Sequence, residues 1–339
     1  MAHACAGVAA GQPVPVLADY RIVQWTTAQG LPQNTVNDTV LLPNGELWVA
    51  TFGGLARFDG HEFHVVDMAT DEGLPANRVV SLAPAGADAL WFLTQQGHLG
   101  RVTRGVPEAL VAPPQPPVDT LWLLADRRGR LYQKSVDGGF WVTDGASPWH
   151  PVEGGSVGKG ILQSFAETDA GELWTVWGER LVRIAGGPQV ASVTVPPHGV
   201  SAYRAIGGGL WLGVDGGGLR ISGGTLDRLV VEPAIDGMVT AIEPVSATTL
   251  WLAARDGVSR LDRQPDGHWA RARLPVEAPG NVGVRSLMLD RQGSLWVGTD
   301  GKGLYRVSRP PTQRIGAVAG LSGVRGVVTD GHGGAFVVG

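Results

Sequence analysis

Cysteine is almost missing from this chain: Cys5 is the only one, so no intrachain disulfide can staple the fold, and the redox compartment stays open. Long apolar runs are missing too, none reaching the roughly 18 residues that would span a membrane as a helix. Basic residues are not in excess. The 27 Lys and Arg face 31 Asp and Glu, a formal charge of −4, which excludes the clustered cationic surface that nucleic acid requires. Neither a polybasic nor an acidic tail is present. Chemical motifs are equally scarce. The run Asp215-Gly216-Gly217-Gly218 lacks the Lys-Ser/Thr of a phosphate loop. Asp-x-Asp calcium loops and a serine nucleophile elbow are missing. The eight histidines, at 3, 61, 64, 98, 150, 198, 268 and 332, show no metal-ligand spacing, and His61 with His64 reads as an exposed strand pair. No metal, cofactor or catalytic residue is therefore expected.

Turn-forming residues are abundant. Glycine numbers 51 and proline 23, too many for a helical protein and suited to short strands joined by tight loops. With 43% apolar and 17% charged residues there is ample material for a core. One dipeptide recurs: Leu47-Trp48, Leu90-Trp91, Leu121-Trp122, Leu173-Trp174, Leu210-Trp211, Leu250-Trp251 and Leu295-Trp296. The tryptophans are 43, 31, 52, 37, 40 and 45 residues apart, as expected of a unit of about forty residues with loops of varying length. Ala335-Phe336 reads as a weaker eighth copy.

Around the dipeptide lies a constant grammar. Val36 to Leu41 alternates weakly, Pro43-Asn44-Gly45 turns, and Leu47 to Thr51 returns, which reads as a hairpin. Equivalent turns are Asp126-Arg127-Arg128-Gly129, Asp169-Ala170-Gly171, Asp290-Arg291-Gln292-Gly293 and Asp330-Gly331-His332-Gly333. A glycine cluster and a third strand follow, as in Leu55-Ala56-Arg57-Phe58 and Leu304-Tyr305-Arg306-Val307, then a more polar fourth at His61 to Val66. Four antiparallel strands in each of seven units predict an all-β fold, a seven-bladed β-propeller with a partial eighth repeat at the C-terminus. The tryptophans are expected to wedge between adjacent blades. An open row of blades would leave apolar faces and strand edges at its ends. The segment Tyr20 to Trp25 is expected to supply the outer strand of the last blade and so lock the ring. The expected organisation is a propeller over 20–310, preceded by 1–19 and followed by 311–339 as the truncated start of a further blade or second propeller. In 1–19, Ala2-His3-Ala4 resembles the end of a secretory signal, the alternative being a disordered tail.

The segments Trp25 to Val36, Asn44 to Thr51 and Gly54 to Gly60 resemble the two-component regulator propeller repeat, echoed by Gly73-Leu74-Pro75-Ala76-Asn77-Arg78-Val79 and by Ser294 to Thr299 with Gly303 to Arg306. Units three to six match only in their Leu-Trp and glycine parts. The resemblance implies the periplasmic sensory region of a bacterial receptor. Such receptors pair two seven-bladed propellers with a β-sandwich, a membrane helix and a histidine kinase or diguanylate cyclase, and can be homodimers. On that reading the chain is a fragment whose tie to a membrane runs through segments outside it.

Strand direction alternates within a blade, so the loop entering the first strand and the loop between the second and third share one face. That face is expected to gather Asn34, Phe52, Asn77, Gln95, Trp177, Glu179, Arg180, Asp215, Arg255, Asp300 and Lys302 as a ligand site. Amide, charged and aromatic groups suit a small solute or oligosaccharide, through hydrogen bonds and ring stacking. Two other functions compete. A propeller lyase or hydrolase acting on a polysaccharide would use His98, Glu179, Arg180 and Asp215, whereas a protein-interaction platform would bind no small molecule.

Overall fold

The computed structural model describes residues 16–17, 20–110, 123–134, 139–156, 165–168, 171–177, 180–185, 192–194, 202–206, 209–222, 225–275, 283–309, 326–329 and 335–338. It divides into two compact units, Met1–Ser308 and Arg309–Gly339. The first unit holds seven antiparallel sheets, formed in chain order by residues 36–66, 79–109, 124–156, 165–194, 202–228, 241–273 and 284–308. Six have four strands. The sixth gains a fifth, Val231–Glu232, which runs parallel to its outer strand Trp269–Arg273. Within the second unit, Gly326–Thr329 and Ala335–Val338 pair as an antiparallel hairpin.

The first strands of successive sheets pack against one another. Val36–Leu41 lies against Val79–Pro84, which meets Leu124–Ala125; Phe165–Glu167 lies against Ala202–Ile206, then Ala241–Pro244, then Val284–Leu289. Between the third and fourth sheets the contact runs through His150–Ser156 and Arg180–Ala185. Val284–Leu289 returns to Val36–Leu41 and closes the circle. Closure is also covalently economical. Arg21–Trp25, from the front of the chain, pairs antiparallel with Leu304–Ser308 as the outer strand of the seventh sheet, in register from Arg21↔Ser308 to Trp25↔Leu304. Trp25 then stacks on Trp296 with ring centres 5.4 Å apart. At this joint Gly303 has φ of 82°, and a Cβ there would stand 2.0 Å from the Trp25 carbonyl oxygen, so only glycine fits.

Each Leu-Trp dipeptide with described side chains lies on the second strand of its sheet, and Trp48, Trp91, Trp174, Trp211, Trp251 and Trp296 are at most 8% exposed. These indoles are the inter-sheet filling that the repeat predicts. Each faces an arginine on the third strand: Trp48↔Arg57, Trp91↔Arg101, Trp174↔Arg183, Trp211↔Arg220, Trp251↔Arg260 and Trp296↔Arg306. In four of them the guanidinium sits 5.2–5.8 Å from the indole centre, within cation–π range. An acid near the hairpin turn often completes the unit. Trp296 Nε1 donates to Asp290 at 3.0 Å, Trp48 to Glu46 at 3.4 Å and Trp174 to Glu172 at 3.3 Å. Hydrogen bonds from neighbours, Arg57 and Trp48 among them, outweigh the cost of burial and hold the Glu46 carboxyl below its ordinary range.

The third sheet corrects the placement of the third repeat made on dipeptides. Leu121 and Trp122 lie outside the described residues, and the second strand of this sheet is Leu131–Lys134, directly after the turn Asp126 to Gly129. Leu131-Tyr132 therefore takes the place of Leu-Trp. Tyr132 is 4% exposed and its hydroxyl donates to Asp126 Oδ2 at 3.0 Å, as Trp296 does to Asp290. Burial, followed by the charge of Asp126, pushes this phenol well above its ordinary range and keeps it a donor. With Tyr132 in the series, Trp91, Tyr132 and Trp174 stand 41 and 42 residues apart, and the irregular 31 and 52 disappear.

Candidate functional site

The mouth of the ring is assembled where the seventh, first and second sheets meet. Three first strands there carry the same irregularity. The register jumps from Val36↔Thr51 to Asp38↔Ala50, from Val79↔Thr94 to Ser81↔Leu93, and from Val284↔Thr299 to Ser286↔Gly298. Asn37, Val80 and Arg285 are the extra residues of these bulges, a device that re-aims a side chain at the end of a strand. The partner of each bulge is a threonine buried to 1% exposure or less. Thr51 and Thr299 donate to the carbonyls of Gly54 and Gly303 at 2.9 and 2.7 Å, and Thr94 accepts from His98 N at 3.0 Å, fixing the loops that follow.

Phe52, on the first of those loops, is the centre of the cluster. Arg78 lies over its ring with the guanidinium carbon 4.0 Å from the centroid, and the Arg285 carbon is 5.8 Å from the same centroid. Arg78 Nε donates to Gln95 Oε1, and Gln95 N donates to the Arg78 carbonyl at 2.7 Å. Arg285 donates to Asp300 Oδ2 at 3.1 Å and to Asn37 Oδ1 at 3.3 Å. Asn37 Nδ2 in turn donates to the Val79 carbonyl at 2.7 Å. One aromatic face, two guanidinium groups, two amides and a carboxylate thus span three sheets. Below them a polar belt ties the first strands together: Thr39 Oγ1 donates to Ser286 Oγ at 3.4 Å, and Leu82 N and Ser81 Oγ donate to Asp38 Oδ2 at 2.9 and 3.3 Å. Ser81 Oγ also accepts from Leu123 N at 3.1 Å.

Of the residues singled out from the sequence, Phe52, Gln95 and Asp300 come together here. Lys302 is exposed on the loop after Asp300, its carbonyl accepting from Gln24 Nε2 at 2.8 Å. Asn34 and Asn77 have another duty. Their side-chain oxygens accept from Thr27 N at 2.8 Å and from Met68 N at 2.7 Å, bracing the loops that enter the first and second sheets. Asp215 and Arg255 are exposed on the fifth and sixth sheets, where Asp215 bridges to Met238 and Arg255 Cβ lies 3.9 Å from the Cβ position of Gly237. Trp177 and Arg180 pair across the second and third strands of the fourth sheet, Arg180 being exposed. The Trp177 side chain and all of Glu179 lie outside the described residues. Sequence reasoning missed Arg78, Asn37 and Arg285. The phrase Asn77-Arg78-Val79 was visible as a repeat echo, but a bulge leaves no residue signature that would mark Asn37 or Arg285.

A separate cleft of about 120 Å³ lies between the second and third sheets, lined by Pro75, Gly97, His98, Leu99, Ala109, Leu110 and Gln133. Gln133 is 5% exposed, and its Oε1 has no hydrogen-bond partner. Between the first and second sheets Leu74 packs with Leu55, Phe92 and Val79. The cleft is distinct from the cluster around Phe52.

Comparison with known proteins follows the same lines. The family model for the two component regulator propeller matches residues 278–301, which include the bulge of the seventh sheet. No curated protein sequence matches the chain. Among solved structures, the extracellular domain of a hybrid two component system from B. thetaiotaomicron superimposes with a TM-score of 0.66 at 19% identity, over 94% of this chain and 46% of that one. This chain therefore spans about half the length of that domain. Virginiamycin B lyase from Staphylococcus aureus gives a TM-score of 0.66 at 12% identity, over 85% of this chain and 99% of that one. YCF48 bound to a D1 peptide gives 0.65 at 14% identity, over 87% and 99%. At such identities the likeness establishes the fold and leaves the activity to the residues. The chain is a β-propeller in which residues 278–301 match the two component regulator propeller model.

Proposed function

We propose that this chain is the extracytoplasmic ligand-sensing input of a bacterial signal-transduction receptor, and that it binds a small solute or oligosaccharide at the mouth where the seventh, first and second sheets meet. The observation that carries this reading is the cluster around Phe52, in which stacking and hydrogen-bonding groups from three sheets converge on one aromatic ring. Rigid sheets holding variable polar loops are where binding sites concentrate. The extracellular placement is supported by the repeat match and by the B. thetaiotaomicron structural relatives, which are extracellular domains of signalling systems. Among the described residues no helix is long and apolar enough to cross a membrane.

Binding without turnover is the reading the residues favour. The lyase alternative needs acid–base groups brought within reach of one another, whereas His98 and Asp215 belong to the second and fifth sheets and are not bonded to each other. The test is calorimetric titration against a panel of oligosaccharides with wild type and Phe52→Ala. Saturable binding is expected, weakened about tenfold or more by Phe52→Ala, with stacking and cation–π contributions of about 1–2 kcal/mol lost. Release of a cleaved product from any member of the panel would replace the sensing function with an enzymatic one.

A further inference from the structure

Arg78 is held in place without being neutralised. Its Nε donates to Gln95, whose amide oxygen carries no formal charge, and its flat face lies 4.0 Å above the Phe52 ring. Among the described residues no carboxylate pairs with it, and Asp300 and Asp38 are engaged elsewhere. Asp300 takes Arg285 at 3.1 Å and the Thr35 hydroxyl at 3.4 Å. Asp38 takes Thr39 N at 2.8 Å and Leu82 N at 2.9 Å in the belt below the mouth. A guanidinium has five N–H donors arranged as a planar fork, so a side-on bond from Nε leaves the far edge, Nη1 with Nη2, directed away from Gln95. That edge matches the two oxygens of a carboxylate, and ionised acceptors bind it about twice as strongly as neutral ones.

A second cation reinforces the first. Arg285 lies 5.8 Å from the ring centre that Arg78 covers at 4.0 Å, so the two guanidinium carbons are at most 9.8 Å apart. Lys302 adds an exposed cation on the loop beside Asp300. Arg78, Arg285 and Lys302 thus face Asp300 at the mouth and Asp38 in the belt below it, three cations to two carboxylates in a chain whose net charge is −4. Such a reversal of local sign steers anions and gives specificity between charged and neutral partners.

We infer that the ligand of this mouth is an acidic sugar, its carboxylate clamped by the free edge of Arg78 while a hydroxylated ring meets Phe52 and Asp300. This inference rests on the mouth being the binding site, and the experiment separates the two. Oligogalacturonate and the matched neutral oligogalactoside are titrated into wild type, Arg78→Gln, Arg78→Lys and Phe52→Ala at low and at 0.5 M sodium chloride, with sodium sulfate and sodium acetate as free-anion competitors. The expected result is a preference of tenfold or more for the acidic sugar, lost in Arg78→Gln, only partly kept in Arg78→Lys because the fork is gone, and reduced by salt. Equal binding of both sugars that still depends on Phe52 would overturn the acidic-sugar inference and leave the mouth standing. Binding of either sugar unaffected by Phe52→Ala and Arg78→Gln would remove both. Displacement by millimolar sulfate or acetate alone, with no contribution from the sugar ring, would reduce the site to a general anion hole and overturn the inference.

Discussion

The seventh, first and second sheets differ from the fifth and sixth in what they gather at the mouth: the former bring Arg78, Arg285, Asn37, Gln95 and Asp300 around Phe52. In the former group the pairing of the first two strands slips by one residue at the mouth, and the extra residue is Arg285, Asn37 or Val80. In the fifth and sixth sheets the described pairing begins at Ala202↔Gly213 and Ala241↔Ala253, the positions equivalent to Asp38↔Ala50, and Asp215 and Arg255 stand exposed on the loops after the second strands. The ring-closing side of the molecule thus also carries the cluster around Phe52, and its strength as a joint can be tested separately from the proposed binding.

The largest effect is expected from opening that joint. Removing the chain through Trp25 deletes the five-residue pairing with Leu304–Ser308 and the stack of Trp25 on Trp296, and exposes the third strand of the seventh sheet as a bare edge. A loss on the order of 5 kcal/mol or more should follow, seen in denaturant unfolding as a lower midpoint and in light scattering as self-association. A midpoint that stays unchanged would show that the ring closes through the first strands alone.

A smaller contrast separates two tryptophans that look identical in sequence. Trp296 gives its N–H to Asp290, whereas Trp211, fully buried against Trp269, has no partner for its N–H among the described residues. Exchanging each for phenylalanine removes similar volume, but only the Trp296 exchange also removes a charge-assisted hydrogen bond from a mostly buried carboxylate. Trp296→Phe should therefore cost more than Trp211→Phe by about 1–2 kcal/mol. Equal losses in chemical denaturation would assign the whole role of both indoles to packing.

The same contrast explains what could be read in advance. Fold class followed from the Leu-Trp dipeptides because a large side chain that recurs every forty residues or so has a structural task, and the closing strand followed from the need to cover two edges. The third sheet was misplaced because Leu121-Trp122 imitates the dipeptide. The Asp126 to Gly129 turn, which brings Asp126 to the Tyr132 hydroxyl, was the sounder marker. The convergence of Phe52, Gln95 and Asp300 was legible because their loop positions fix the face of the ring. They were not legible where hydrogen bonding decided the outcome. Asn34 and Asn77 lie on the correct loops but spend their side chains on backbone N–H groups, and Arg285 depends on a one-residue slip that composition does not encode.

The mildest change tests whether an apolar seam is the default wherever no bulge or ligand intervenes. Gln133 occupies the position held by Val49, Phe92, Leu212, Leu252 and Val297 on the second strands of the first, second, fifth, sixth and seventh sheets, all of them buried. Its amide oxygen is buried without a partner, which costs about 1–3 kcal/mol relative to a satisfied group. Leucine has nearly the same reach and no polar atoms to desolvate, and it would extend the apolar wall formed by Leu99 and Leu110 along the neighbouring cleft. Gln133→Leu should therefore stabilise the protein by about 1 kcal/mol, raising the thermal midpoint by a few degrees while leaving ligand affinity at the Phe52 cluster unchanged. Destabilisation by a similar amount would mean that the amide is satisfied by an ordered water held in the cleft, and that this seam is polar by construction.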